Sequence, residues 1–305
     1  VFVKYATVQV LATWERPESQ SKAVQKTASY FADEGIKLDI QAILNEVADA
    51  YQVSRDPGDY YFVAVRANTV DVPNENGDAF AKAELERFDH HLGRRVYQTY
   101  TAKPLHVNHR SDNPKMARGV IFDVHYNLSN ALEKDAQESY QKEYGINLQA
   151  DEFVEALVGI EKTKDPHLAE GIRTGVLDSF SMGCECEKTR CSICDHVAHT
   201  KLEFCEHIRS GNKLKLFPMS DGTERKAYEW CEGVVFQELS AVDQPADPKA
   251  LTQEVLNLQG RIASLESGPT VLQDQTAILL LQSRLRKVEA ALMDVTGGTM
   301  SGKTA

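Results

Sequence analysis

Phe236-Gln237-Glu238-Leu239-Ser240-Ala241-Val242-Asp243-Gln244-Pro245-Ala246 is the stretch on which the fold reading turns. With Val234 and Val235 ahead of it, the run is rich in strand-forming residues and is stopped by Pro245-Ala246-Asp247-Pro248, so it predicts a strand over Val234–Val242. Two acids mark it, Glu238 within the predicted strand and Asp243 just past its end. Further strands are predicted back along the chain at Tyr60–Val65, Leu105–Asn108, Ala117–Tyr126 and Val176–Gly183; in the third of these Val120, Phe122 and Val124 alternate. Helices are predicted at Leu38–Tyr51, where Ile40, Ile43, Leu44, Val47 and Ala48 keep helical spacing, and at Ala79–Leu92 after the Asn74–Asp78 turn. Three more fall at Leu132–Tyr144, Ala150–Gly159 and His167–Thr174, and the N-terminal part adds a short strand over Val8–Thr13 and a helix over Ser21–Ala32. Strands and helices interleaved in this way make the class α+β, with antiparallel pairing.

Beyond Pro248 the texture changes. Leu251, Val255, Leu258, Ile262 and Leu265 are spaced 4, 3, 4, 3, and Ile278, Leu281, Leu285, Val288, Leu292 and Val295 are spaced 3, 4, 3, 4, 3. This is a heptad seam in two pieces, interrupted at Ser267-Gly268-Pro269, and it predicts a coiled coil over 251–296 that either folds back on itself or joins chains. The polar tail 297–305 is expected to be disordered; its Gly297-to-Thr304 stretch fits a phosphate-binding-loop pattern, but it follows the seam rather than a strand, so no nucleotide site is expected.

The chain has 305 residues, enough for about two folded units. Hydrophobic residues at 42% and charged residues at 26% are ordinary globular usage, which argues against wholesale disorder. The net charge is −11 and no basic block stands out, so a nucleic-acid partner is not expected. The longest wholly apolar run is Ala277–Leu281, far short of the roughly 20 residues of a membrane helix, and no membrane partner is expected either.

Two sets of residues carry chemistry. Five of the six cysteines crowd between Cys184 and Cys205, and Cys191, Cys194, Cys205 and His207 form C-x2-C-x10-C-x-H. Thiolates and an imidazole at this spacing suit tetrahedral zinc, and four protein ligands leave no open position for water, so the metal would be structural. Cys184 and Cys186 stand by as substitute or additional ligands, and His196 and His199 as members of an open site. The second set consists of histidine, serine and carboxylate candidates at strand ends: His106 and His109, Ser179 and Ser181, Glu238 and Asp243. A serine hydroxyl needs an imidazole to take its proton, and the imidazole in turn needs a group to hold its tautomer. Alternation along a strand does not separate Ser179 from Ser181.

Over roughly Tyr61 to Ala250 the sequence resembles the prohead, or head maturation, proteases of tailed bacteriophages, which share a fold with the herpesvirus assembly proteases. The resemblance is carried by Asp78-Ala79-Phe80, by Val107-Asn108-His109 leading to Gly119, and by Ser181-Met182-Gly183. Its most specific part is Glu238-Leu239-Ser240-Ala241-Val242 closing on Pro245-Ala246-Asp247-Pro248-Lys249-Ala250. It implies His109 as general base, Ser181 as nucleophile and Glu238 as the acidic third member. It also implies a herpesvirus-protease-like β-barrel core with surrounding helices over 58–250, preceded by an accessory segment 1–57. The cysteine-rich stretch 184–210 departs from the simple family pattern and reads as a zinc-binding insertion. The implied activity is a serine endopeptidase acting on phage scaffold and capsid proteins and on itself, in the host cytoplasm inside the procapsid or virion, with self-association through the coiled coil.

Overall fold

The computed structural model describes residues 2–5, 30–33, 38–127, 131–209, 211–243 and 245–256. Its fourteen described strands are β1 (Phe2–Tyr5), β2 (Tyr60–Thr69), β3 (Asp78–Ala79), β4 (Phe88–Asp89), β5 (Arg94–Arg95), β6 (Pro104–Val107), β7 (Gly119–Asn127), β8 (Phe153–Glu161), β9 (Phe180–Cys191), β10 (Val197–Ala198), β11 (Leu216–Pro218), β12 (Glu224–Lys226), β13 (Glu229–Ala241) and β14 (Thr252–Leu256). The helices are α1 (Tyr30–Asp33), α2 (Ile40–Tyr51), α3 (Lys82–Leu85), α4 (Lys134–Tyr144) and α5 (Pro166–Arg173).

One large sheet dominates, in the order β1-β9-β13-β6-β7-β8-β2-β14, mostly antiparallel, with β13 pairing in parallel to β6 and β3. The sheet curls until its ends approach: Ser179 bridges to Leu251, just ahead of β14, and the Phe180 amide donates to Ala250 O (2.8 Å). The result is a curled half-barrel. Its concave side is filled by Val63, Val65, Leu105, Ile121, Val158, Ile160, Phe180, Phe236 and their neighbours, almost all fully buried. Apolar burial on this scale, at roughly 25 cal/mol per Å², is what holds the curl.

The corner at Pro245–Ala250 ties the sheet together through its polar atoms. Asp247 accepts from the amide and hydroxyl of Thr69 (2.7 and 2.6 Å), and Asp151 accepts from the two terminal guanidinium nitrogens of Arg66 (2.8 and 2.7 Å) and from Lys249 Nζ (2.9 Å).

Several sequence expectations are corrected. Ala150–Gly159 is not a helix: Phe153–Glu161 is the fully buried strand β8 between β7 and β2. A strand covered on both faces loses its polar alternation and reads as a continuous apolar run. Ala79–Leu92 contains only the four-residue helix α3, because Asp89 accepts from the amides of His91 and Leu92 and starts the β4–β5 hairpin in place of further helical turns. The heptad seam starts too early at Leu251, since Thr252–Leu256 pairs antiparallel with β2; the rest of the coiled-coil expectation lies outside the described residues, as do 297–305 and Val8–Thr13. Of the helix expected over Ser21–Ala32 only Tyr30–Ala32 is described, within α1. The segment 1–57 is not purely accessory, because Phe2–Tyr5 joins the main sheet. The stretch expected as an insertion from 184 starts inside a strand, β9 running unbroken from Phe180 to Cys191 through Cys184 and Cys186.

Candidate functional site

The three strands β9, β13 and β6 lie side by side, and each brings one candidate. Ser181 on β9 stands opposite Ser240 on β13, and Ser240 in turn stands opposite His106 on β6. A register shift between Phe236 and Glu238 marks a bulge at Gln237: Phe236 pairs with Cys184, yet Glu238 pairs with the very next residue, Gly183. The bulge changes the phase of the strand. Phe236 joins the core with Cys184, whereas Glu238 and Ser240 share the opposite face with Gly183 and Ser181.

His109 reaches this face by doubling back. Because β6 runs parallel to β13, its end at Val107 lies beside Ala241, past Ser240 and Glu238. Asn108 and His109 both take positive φ (49° and 54°), and the Arg110 amide closes on Val107 O (3.2 Å), a tight turn of the kind with two left-handed central residues. Left-handed backbone in two successive residues that are not glycine costs on the order of 1–3 kcal/mol each and persists where surrounding contacts enforce it. Here they do. The Asn108 amide donates to Ala241 O (3.0 Å), the His109 amide to Ser240 Oγ (3.1 Å), and His109 Nδ1 lies 2.6 Å from Glu238 Oε1. Ser240 donates its hydroxyl to the other carboxylate oxygen, Oε2, at 2.6 Å.

The candidates are therefore sorted by geometry. Glu238, buried, holds the imidazole of His109, while Asp243 is exposed beyond the end of β13. Ser181 is within β9, on the site's face; Ser179 precedes the strand and donates to its neighbour Asp178 (3.1 Å). His106 is buried with Nδ1 lacking a hydrogen-bond partner among the described residues, and burial pushes its imidazole below its ordinary value against the pull of the Glu238 charge. Ser240, hydrogen-bonded to both His109 and Glu238, was missed by the sequence reading; its place two residues after Glu238 on the same strand was the signal. The whole group is enclosed. Ser181 is 2% exposed and lines a cavity of about 10 Å³ together with Asn68, Thr69 and Asp247.

The second cluster lies at the far end of β9. The ligating atoms of Cys191, Cys194, Cys205 and His207 all fall within 4.8 Å of one another. Cys191 ends β9; its carbonyl accepts from the Asp195 amide (3.0 Å) and its sulfur from the Ile193 amide (3.4 Å), with Asp195 in a left-handed conformation. This tight loop is what turns Cys194 back toward Cys191. Cys205 and His207 come from a second turn, in which Ile208 and Arg209 donate to Cys205 O (3.1 and 2.9 Å), and Phe217 stacks edge-on against the His207 ring at 4.8 Å. Burial pushes the Cys191 thiol up to about 12, so a bare thiolate there is unfavourable and a cation is the natural replacement for its proton. The four residues suit a metal ion by number and by donor type. Cys184 and Cys186 are not part of this group; they are buried in the core with their sulfurs 3.9 Å apart. His196 and His199 also stand outside it, His196 Nε2 being 2.7 Å from Glu203 O and the His199 amide donating to Glu203 (2.8 Å).

No helix among the described residues is long and apolar enough to cross a membrane. Compared with family models, with curated proteins and with solved structures, the chain gives no significant match.

Proposed function

We propose that the chain is a serine endopeptidase of the prohead protease type, processing phage scaffold and capsid proteins and itself during head maturation. The observation that carries this reading is the His109–Glu238 contact at 2.6 Å, built by a strand bulge and a left-handed turn on the face that also bears Ser181. A carboxylate on Nδ1 fixes the tautomer that leaves Nε2 as the base. In the reaction, His109 takes the proton of Ser181 as Oγ attacks the scissile carbonyl carbon, then gives it to the leaving amine as the C–N bond breaks. His109 then takes a proton from water as the water oxygen bonds to the acyl carbon, and returns it to Ser181 Oγ as the ester C–O bond breaks and the acid is released. Glu238 stabilises the imidazolium at each stage, and Ser240 keeps the carboxylate in line by occupying its second oxygen.

The curled, largely antiparallel sheet supports a barrel akin to that of the herpesvirus assembly proteases. The ion that suits the cysteine–histidine cluster is zinc in a structural role, since four protein ligands complete a tetrahedron. In the procapsid reading, the heptad seam is the arm through which the enzyme self-associates or docks on scaffold.

A second reading has its own observation. Ser181 at 2% exposure, beside a cavity of about 10 Å³, also fits a non-catalytic head protein that retains the protease fold. Labelling of the purified protein with a fluorophosphonate, with Ser181→Ala as control, separates the two. Serine-dependent labelling supports the enzyme; no labelling, together with no self-cleavage, overturns it in favour of the structural protein.

A further inference from the structure

Three segments of the chain share the outer edge of β9, the first being β10, which pairs at Thr189 and Arg190. Strand β1 covers Gly183 to Cys186, antiparallel, with Phe2 opposite Cys186, Lys4 opposite Cys184 and Tyr5 opposite Gly183. Further back, the Phe180 amide donates to Ala250 O (2.8 Å) and the Thr252 amide to Asp178 O (2.7 Å). These contacts fall on the same edge as β1, because Ser179 turns its carbonyl the other way, to the Val242 amide just past β13 (3.0 Å), and successive residues of a strand direct their backbone groups to opposite sides. Between β1 and the Ala250–Thr252 segment lie Ser181 and Met182. An extended chain entering along the path of β1 therefore runs, in its N-to-C direction, toward Ser181.

Two side chains anchor β1. Phe2 is buried and stacks on Phe204 at 5.5 Å. Lys4, also buried, sets Nζ 3.0 Å from Asp78 Oδ1 and 2.5 Å from Glu229 Oε1, and lies over the rings of Phe2 and Phe204. Lys213 pairs with the same two carboxylates. Without Lys4 the well would hold two carboxylates against one ammonium, and an uncompensated buried charge is strongly unfavourable. The well is thus built for a second cation, and it opens on a cavity of about 400 Å³ bordered by Val3, Phe204 and Arg209.

Strand addition to a sheet edge draws affinity from main-chain hydrogen bonds and specificity from pockets for alternate side chains. We propose that the outer edge of β9 is a peptide-binding edge held in cis by Phe2–Tyr5, and that it takes extended peptides bearing an aromatic residue followed two positions later by lysine or arginine. The inference rests on the endopeptidase reading for its meaning: the incoming peptide is the substrate, and in the register of β1 its basic residue stands three positions before the residue opposite Ser181. The chain's own strand is then the competitor that a substrate must displace.

The test uses the full chain carrying Ser181→Ala, so that no peptide is consumed, and a fluorescein-labelled pentapeptide with the sequence of residues 1–5. By fluorescence anisotropy the peptide is expected to bind at least tenfold more tightly when Phe2→Ser is added to weaken the resident strand, and a peptide with glutamate in place of its lysine is expected to lose that binding. Equal affinity for the two chains, or indifference to the lysine, overturns the proposal. Should circular dichroism show the Phe2→Ser chain unfolded, hydrogen exchange on the chain with its strand intact decides: excess peptide must speed exchange of the Phe2–Tyr5 amides several-fold, and unchanged exchange overturns it. Serine labelling of the unsubstituted protein is a separate readout. Labelling without peptide binding removes the peptide edge and keeps the protease, whereas peptide binding without labelling does the reverse.

Discussion

Gly183 and Glu238 face each other across β9 and β13 so closely that a β carbon on Gly183 would lie 2.5 Å from Glu238 Oε1, the oxygen that meets His109. The glycine is there to leave space for a carboxylate. Gly183→Ala is expected to push Glu238 off the imidazole and lower peptide cleavage about 100-fold, the usual cost of misplacing a catalytic group by an ångström. Overpacking of this buried site should cost about 1–3 kcal/mol, read from thermal unfolding. A folded Gly183→Ala protein with full activity would place the carboxylate outside the mechanism.

Ser181→Ala and His109→Ala are each expected to abolish self-cleavage, with losses of about 10⁴-fold or more in rate, while circular dichroism stays native. Glu238→Gln should cost on the order of 10³–10⁴-fold by favouring the wrong tautomer. Asp243→Asn and Ser179→Ala should retain substantial activity, since Asp243 is exposed beyond the end of β13 and Ser179 precedes β9. Gel-based self-processing over time reads all five.

Ser240→Ala removes a donor to Glu238 and an acceptor for the His109 amide, both deep in the sheet. The expected cost is about 1–3 kcal/mol of stability. Activity should fall about tenfold with the pH–rate profile displaced, because the carboxylate loses the partner on its second oxygen. An unmoved profile would reduce Ser240 to a packing role.

Metal analysis of protein prepared without chelators is expected to find about one zinc per chain, lost in Cys194→Ser but kept in Cys184→Ser and Cys186→Ser. Structural zinc contributes on the order of 10 kcal/mol in isolated fingers. Chelation should therefore raise hydrogen exchange over residues 191–228 before the rest of the sheet responds, and protein free of metal would remove the assignment.

Asp151 links pH to stability. Burial would raise its carboxyl, but the hydrogen bonds and charge of Arg66, with Lys249 beside it, prevail and hold it at about 2. A carboxylate depressed on folding adds stability that is fully present above its unfolded value near 4 and fades as the pH falls toward 2. Held at about 2 against an unfolded value near 4, at about 1.4 kcal/mol per pH unit, the carboxylate contributes about 2 kcal/mol. Asp151→Asn should lower stability at pH 7 by at least that amount and flatten its decline between pH 4 and pH 2 in urea titrations.

Much of this architecture was legible because it is local. The strands around Tyr60, Pro104, Gly119 and Glu229 announce themselves by strand-forming runs, α2 by its apolar spacing and α5 by Asp165 and Pro166 at its start. The cysteine–histidine quartet was legible for the same reason, since two short turns bring its members together. β8 was misread because burial on both faces erases the alternation that distinguishes a strand from a buried helix.

The sequence by itself determined which residues have the chemistry: an imidazole, a hydroxyl, two rival carboxylates and a metal-ligand spacing. Only the tertiary structure decided that Glu238, and not Asp243, meets the His109 ring, and it revealed Ser240 and the pairing of Phe2–Tyr5 with β9. The physical reason is that these outcomes depend on register. A single bulged residue at Gln237 turns Glu238 from the core face to the site face, and a parallel neighbour, β6, is what lets the Asn108–His109 turn fold back onto it. Side-chain period along one strand is local information, whereas the phase between strands is set by pairings between residues from tens to more than a hundred positions apart in the chain.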